Sequence, residues 1–255
     1  MLAFIIWQNN NPKTYNPQPQ AINPTQQPVP QEIKPAEIFK QLFPTKNLQV
    51  TANRPDCFFD KSTITVAKDG EASYRLADVY CLSEIVKKGF LNNGQENLLL
   101  VVRYGLYNRL KSNTDEVIFG EGEKYPTSPH VAGIEHVFLA FIDSKTNQLA
   151  SEVKELSADS ILLSYYTCNN GTYILVTKSI AWQGAGETNA ELFWLKDNKF
   201  ESKIIVAEEL TPEKGITLTP QTDKIVVNQS VATNQQESHY YDLVWDKNTC
   251  NFIKQ

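Results

Sequence analysis

From residue 97 to the C-terminus the chain alternates short apolar runs with short polar breaks, a rhythm too short for helices and right for strands. The runs are 97–104, 134–142, 149–156, 160–168, 172–182, 191–195, 200–207, 224–228, 240–245 and 251–254, rich in β-branched and aromatic residues and bounded by Asn, Asp, Gly or Ser. About ten strands in little more than 150 residues are predicted. His136-Val-Phe-Leu-Ala-Phe-Ile142 is apolar at successive positions and so lies between two layers. Phe200-Glu-Ser-Lys-Ile-Ile-Val206 alternates, which leaves one face wet.

Before residue 97 the pattern is mixed. Pro35 stands at an N1 position, Ile38/Leu42 and Phe39/Phe43 follow at i,i+4 spacing, and Pro44 is a stop, so a short docking helix is expected there. Residues 48–52, 63–67 and 73–76 are strand candidates. Val79, Leu82, Ile85, Val86 and Phe90 recur at helical spacing, which predicts a second helix at about 77–88.

The runs starting at Leu98, Ile161 and Ile225 are spaced by 63 and 64 residues, and each is followed by an aromatic strand, a polar turn and a further strand. The turns are Asp143-Ser-Lys-Thr-Asn147, Asp197-Asn-Lys199 and Asp246-Lys-Asn-Thr249, with a fourth, Asp60-Lys-Ser-Thr63, nearer the N-terminus. A leading Asp accepts backbone N–H groups two residues on, so these are hairpin signals. They lack the alternating ligands, central Gly and terminal Glu of a calcium loop. Such units resemble the blades of β-propellers, although three are too few to close one. The fold expected is mainly β, an antiparallel β-meander, sandwich or propeller-like, with one or two short helices.

The first 35 residues differ in composition. They hold seven of the thirteen prolines and many Asn and Gln, and Lys13, Glu32 and Lys34 are their only charges. Such a segment buries too little apolar surface to offset its ordering entropy. Residues 8–35 are therefore a linker, residues 1–7 (Met1 to Trp7) an apolar stub like the outer end of a membrane anchor or signal, and 36–255 a single β-rich domain. A net charge of −5 with 41% apolar residues fits neither a nucleic-acid binder nor a disordered acidic chain.

Cys57, Cys81, Cys168 and Cys250 contain no C-x-x-C pair and no His at zinc-ligand spacing. In an exported protein an even count suggests two disulfides, and the sequential pairing 57–81 and 168–250 is favoured over the other two connectivities. No hydrolase elbow, zinc-protease helix, P-loop or dinucleotide motif occurs, and no cofactor or metal is implied. His136 within its apolar strand reads as a satisfied core or interlayer residue.

The segment from Gly105 to Gly133 is the longest break in the β rhythm, with Val117-Ile-Phe119 expected as a short strand that packs part of it down. The four arginines, Arg54, Arg75, Arg103 and Arg109, all precede residue 110, so guanidinium-mediated recognition belongs to this end of the chain. Arg103, Tyr107, Arg109, Glu121, Glu123 and Tyr125 are the candidate binding residues, because Arg and Tyr are favoured at binding hot spots. The expectation is a non-enzymatic, exported or envelope-anchored module whose loop surface meets an envelope protein or glycan, with the membrane reached only through a missing N-terminal anchor. A hydrolase using the acids of this loop, with Glu121 and Glu123 as the paired carboxylates, is one alternative. A cytosolic interaction module is the other.

Overall fold

Leu98-Leu-Leu-Val-Val102 is five apolar residues in a row, and all five are buried. Leu98, Leu100 and Val102 point into one core, and Leu99 and Val101 into another. Side chains alternate faces along a strand, so this run marks a sheet covered on both sides. In a computed structural model the chain is described at residues 32–69, 72–92, 94–107, 116–123, 134–169, 171–182, 185–211, 214–231 and 237–255. The expected stub and nearly all of the linker lie outside these residues.

Helix α1 (Pro35–Leu42) begins at the expected proline, carries Glu37 in its first turn and Lys40 in its last, and ends with the Phe43 N–H donating to Phe39 O at 2.9 Å. Its buried Ile38, Phe39 and Leu42 lie on the first sheet, and such side chains stabilise by about 1.5–3 kcal/mol each. That sheet is an antiparallel meander of six strands in sequence order: β1 (Leu48–Val50), β2 (Cys57–Asp69), β3 (Ala72–Asn92), β4 (Gln95–Tyr107), β5 (Glu135–Asp143) and β6 (Lys154–Ala158). The second sheet is β7 (Ser160–Cys168), β8 (Gly171–Trp182), β9 (Ala185–Lys196) and β10 (Lys199–Leu210), and the third is β11 (Lys214–Pro220), β12 (Lys224–Val231), β13 (Glu237–Asp246) and β14 (Asn251–Lys254). The fold is mainly β, three antiparallel meanders with one short helix among the described residues.

The second sheet lies between the other two. Ile174, Val176 and Phe193 share a core with Leu99, Val101, Val137, Leu139 and Phe141 of the first sheet. On the opposite face Leu175, Leu192 and Val206 share a core with Ile216, Leu218, Ile225, Val227 and Trp245 of the third. The Trp245 indole donates to Thr167 O at 3.0 Å and the Tyr166 hydroxyl to Gln221 O at 2.7 Å, so polar groups at this junction are satisfied across the layers.

Some of the expected elements need correction. Residues 77–88 are not helical: they lie within the 21-residue β3. Val79 and Cys81 face one core and Tyr80 and Leu82 the other, and register shifts at Leu82/Glu84 and Val86/Phe90 move the phase of the alternation. Two-sided burial interrupted by bulges imitated a helical period. The run at 149–156 becomes a strand only at Lys154, Leu149 making a single bridge to Ile142. Lys214–Pro220, where no strand was expected, is edge strand β11, with Pro220 as its last residue, where no ladder donor is lost. The 63-residue spacing does not mark equivalent strands, since Leu98, Ile161 and Ile225 fall on the fourth strand of one sheet, the first of the next and the second of the last.

The Asp turns divide. Asp143 Oδ1 accepts the N–H groups of Lys145 and Thr146 at 2.8 and 2.7 Å, and Asp246 Oδ1 accepts that of Asn248 at 3.0 Å, as their spacing requires. Asp197 and Asn198 both have positive φ, the two-residue hairpin conformation that Asp and Asn tolerate. Asp60-Lys-Ser-Thr63 is instead an irregularity inside β2, where Asp60 Oδ1 accepts Ser62 N–H at 3.0 Å.

Candidate functional site

The expected binding residues do not converge on one described surface. Arg109 and Tyr125 lie outside the described residues, and of Tyr107 only the backbone, the last residue of β4, is described. Arg103 is half-buried and ion-paired with Glu135, whose Oε2 accepts the Ile161 N–H at 3.0 Å, so it ties the first sheet to the start of the second. The Glu123 carboxylate accepts the Gly120 N–H at 2.8 Å and its carbonyl accepts from Arg54 at 3.1 Å, while Glu121 is exposed. The Val117–Phe119 stretch packs down as expected, though not as the short strand expected of it. Val117 and Phe119 are buried against Cys57, Phe59 and Val79, and Asn53 grips Phe119 with both ends of its amide, at 2.9 and 3.0 Å.

Cys57 is bonded to Cys81 and Cys168 to Cys250. The first bond joins register partners on β2 and β3 and lies fully buried beside Val117 and Phe119. The second joins the end of β7 to the β13–β14 turn and so fastens the third sheet to the second.

The outer face of the first sheet carries a site that the run of the sequence did not announce. Helix α1 covers only part of that face, over Phe58, Leu98, Leu100 and Ile142. Beyond it lies an open cleft of about 370 Å³ floored by two cross-strand rows. Tyr80, Tyr104 and His136 are register partners on β3, β4 and β5, and Val102, Phe138 and Glu155 on β4, β5 and β6. Direct partners share a face, so these side chains gather without any loop. The Tyr80 and Tyr104 rings are 5.0 Å apart, Tyr104 meets His136 edge-on at 5.3 Å, and Phe43, just past the helix, meets Phe138 edge-on at 5.2 Å.

Acids edge these rings. The Tyr104 hydroxyl donates to Asp78 Oδ1 at 3.0 Å, and the His136 imidazole donates through Nδ1 to Glu155 Oε1 at 3.1 Å. His136 is thus a half-exposed wall of the cleft, in contrast to the core or interlayer place expected of it. Burial and then the charges of Asp78, Asp60 and Glu155 push the Tyr80 hydroxyl far above its ordinary range, and burial and Asp78 do the same to Tyr104. Both phenols stay protonated at any physiological pH. Lys46 lies at the rim, its ammonium 5.8 Å from the Tyr80 ring centre and 3.7 Å from Asp60.

Chemically the cleft offers ring faces, which are electron-rich, and carboxylate oxygens, which only accept. Its volume sits at the small end of ligand pockets, which run from roughly 300 to 1,000 Å³. β4 ends at Tyr107 and β5 begins at Glu135, and the described part of the insertion between them, 116–123, packs on the face of the sheet opposite the cleft, against Cys57, Phe59 and Val79. The signal that could have found the site was the register of three strands, with Tyr or His at positions 80, 104 and 136. No pattern within any single strand shows it. The sequence matches no protein-family model and no curated protein, so what it can do rests on this geometry.

Proposed function

We propose that the chain is an exported binding module, with no enzymatic step of its own, that presents the aromatic cleft of the first sheet to a ligand. The observation that carries the reading is the cleft: a cross-strand row of Tyr80, Tyr104 and His136 with Phe138 and Phe43 beside it, open to solvent and edged by charged groups. Side chains on paired strands hold their geometry better than side chains on loops, which suits recognition. Export is supported by the two disulfides, which persist in oxidising compartments. No helix among the described residues is long and apolar enough to cross a membrane. In this reading the proline-rich linker at 8–35 spaces the β body from an anchor at the envelope.

Two measurements test it. Alkylation of the protein as made by its own cell, without reductant, should label no cysteine; four labelled thiols would end the export reading. The full chain, followed through the aromatic NMR signals of Tyr80 and Tyr104, should respond to at least one class in a panel of sugars, organic cations, organic anions and neutral peptides. Silence across the whole panel would overturn the binding role of the cleft.

A further inference from the structure

We infer that the ligand of the cleft is an organic cation, a protonated amine or guanidinium on a short aliphatic chain such as a lysine or arginine side chain. The inference rests on the binding-module reading and adds the chemistry of what is bound. Three observations converge on it. Two donors that line the cleft are already spent on its carboxylates, the Tyr104 hydroxyl on Asp78 and the His136 Nδ1–H on Glu155, and each carboxylate keeps lone pairs to spare. A ligand that meets these carboxylates has to bring donors. Second, neither Asp78 nor Glu155 is ion-paired with a Lys or Arg among the described residues, so negative charge stands at both ends of the aromatic row. The third observation is a precedent in the chain itself. Lys46 already holds its ammonium over the Tyr80 ring and beside the Asp60 carboxylate, the same combination of π face and acid that the open part of the cleft repeats with Tyr104, Asp78 and Glu155.

Ring faces attract cations through their quadrupole, and the attraction strengthens where water is partly excluded, as on this sheet floor. A sugar would also stack on rings, but it brings no charge to meet the two carboxylates. Attachment to an aliphatic chain fits the exposed edge of Phe138 and Phe43, which would lie along the stem of the ligand while its head meets the acids.

The experiment titrates the full chain with arginine amide, citrulline amide (its uncharged isostere) and butylammonium, following the Tyr104 ring signals. Arginine amide should bind at least tenfold more tightly than citrulline amide, and raising salt from 50 to 500 mM should weaken it several-fold. Asp78→Asn and Glu155→Gln should each lower its affinity at least fivefold with the fold intact by circular dichroism; Glu155 is 56% exposed on an edge strand, so its variant tests the proposal independently of Asp78. Butylammonium equal to arginine amide would point to a free small amine as the natural ligand, and a clear preference for arginine amide to a basic side chain; both support a cation site. Equal binding of citrulline amide and arginine amide, or unchanged affinity in both variants, would overturn it. A response to sugars with none to cations would remove the cation assignment and leave the binding module standing.

Discussion

Replacing Cys168 and Cys250 together by Ala releases the third sheet from the second while removing little packing, because both side chains are only partly buried. The bond closes a loop with a sequence separation of 82. On the chain-entropy account the denatured state then regains 2.1 + 1.5R ln 82, about 15 cal/mol/K, or about 4.5 kcal/mol at 25 °C, an upper figure for most real bridges. For a chain of this size the melting temperature should fall by roughly 9–18 °C. Urea unfolding should show the loss, together with a larger m value because the uncrosslinked denatured chain exposes more surface. The loss should also be uneven. Native-state hydrogen exchange should show β11 to β14 losing protection before β3 to β5, since the third sheet keeps one covered face and its other ties to the second include only a few polar contacts, Trp245 to Thr167, Tyr166 to Gln221 and Lys214 to Glu208. A loss below about 1 kcal/mol, or equal loosening of the first and third sheets, would refute the view that this bond is the fastener of the last layer.

Other positions give sharper local tests. Gly171 has φ +128°, a conformation almost reserved for glycine, so Gly171→Ala should cost about 1–3 kcal/mol in urea unfolding although the space for a Cβ is adequate. Asn53→Ala strips both amide bonds from Phe119 and should cost about 1–2 kcal/mol, with faster proteolytic cleavage near residues 116–123 as the readout. Arg103→Ala leaves the half-buried Glu135 without its guanidinium and should cost about 1–3 kcal/mol in thermal or urea unfolding while leaving arginine amide binding unchanged. Burial pushes the Asp143 carboxyl up, but bonds from the Thr146 and Lys145 N–H groups and the Thr146 hydroxyl win and hold it below its ordinary range. Its contribution is therefore complete above the unfolded value, about 3.9, and is lost as pH falls through the lower folded value, so Asp143→Asn should flatten the acid limb of a stability–pH profile.

What the sequence disclosed was whatever is encoded within a few residues. Pro35 with Ile38, Phe39 and Leu42 announced the helix, and Asp143 and Asp246 announced their turns through bonds that span two or three positions. The β class was equally plain from the short apolar runs. β3 was misread because helical spacing and a bulged strand buried on both faces place apolar residues at the same intervals; only the partner strands decide between them. The cleft was hidden for the same reason. Tyr80, Tyr104 and His136 are separated by 24 and 32 residues, and their meeting depends on the register of β3, β4 and β5. Arg103 was visible as a candidate, but nothing near it in sequence shows that Glu135 would take its charge.

Among the described residues every ladder in the three meanders joins strands that follow one another along the chain, with no crossover in any sheet. Each layer is thus a contiguous stretch, and the molecule can be laid down in the order in which it is synthesised or threaded through a pore. Residues 32–158 can pair among themselves and roof one face with α1, yet the face bearing Leu99, Val101, Leu139 and Phe141 stays bare until Ile174 and Phe193 arrive. The second layer in turn waits, with Leu175 and Leu192 uncovered, for Ile225 and Trp245. An emerging chain therefore passes through two stages with a sticky unfinished surface, and the Cys168–Cys250 bond, whose second half lies in the β13–β14 turn, can close only after both are past. Its closure marks the arrival of the third layer.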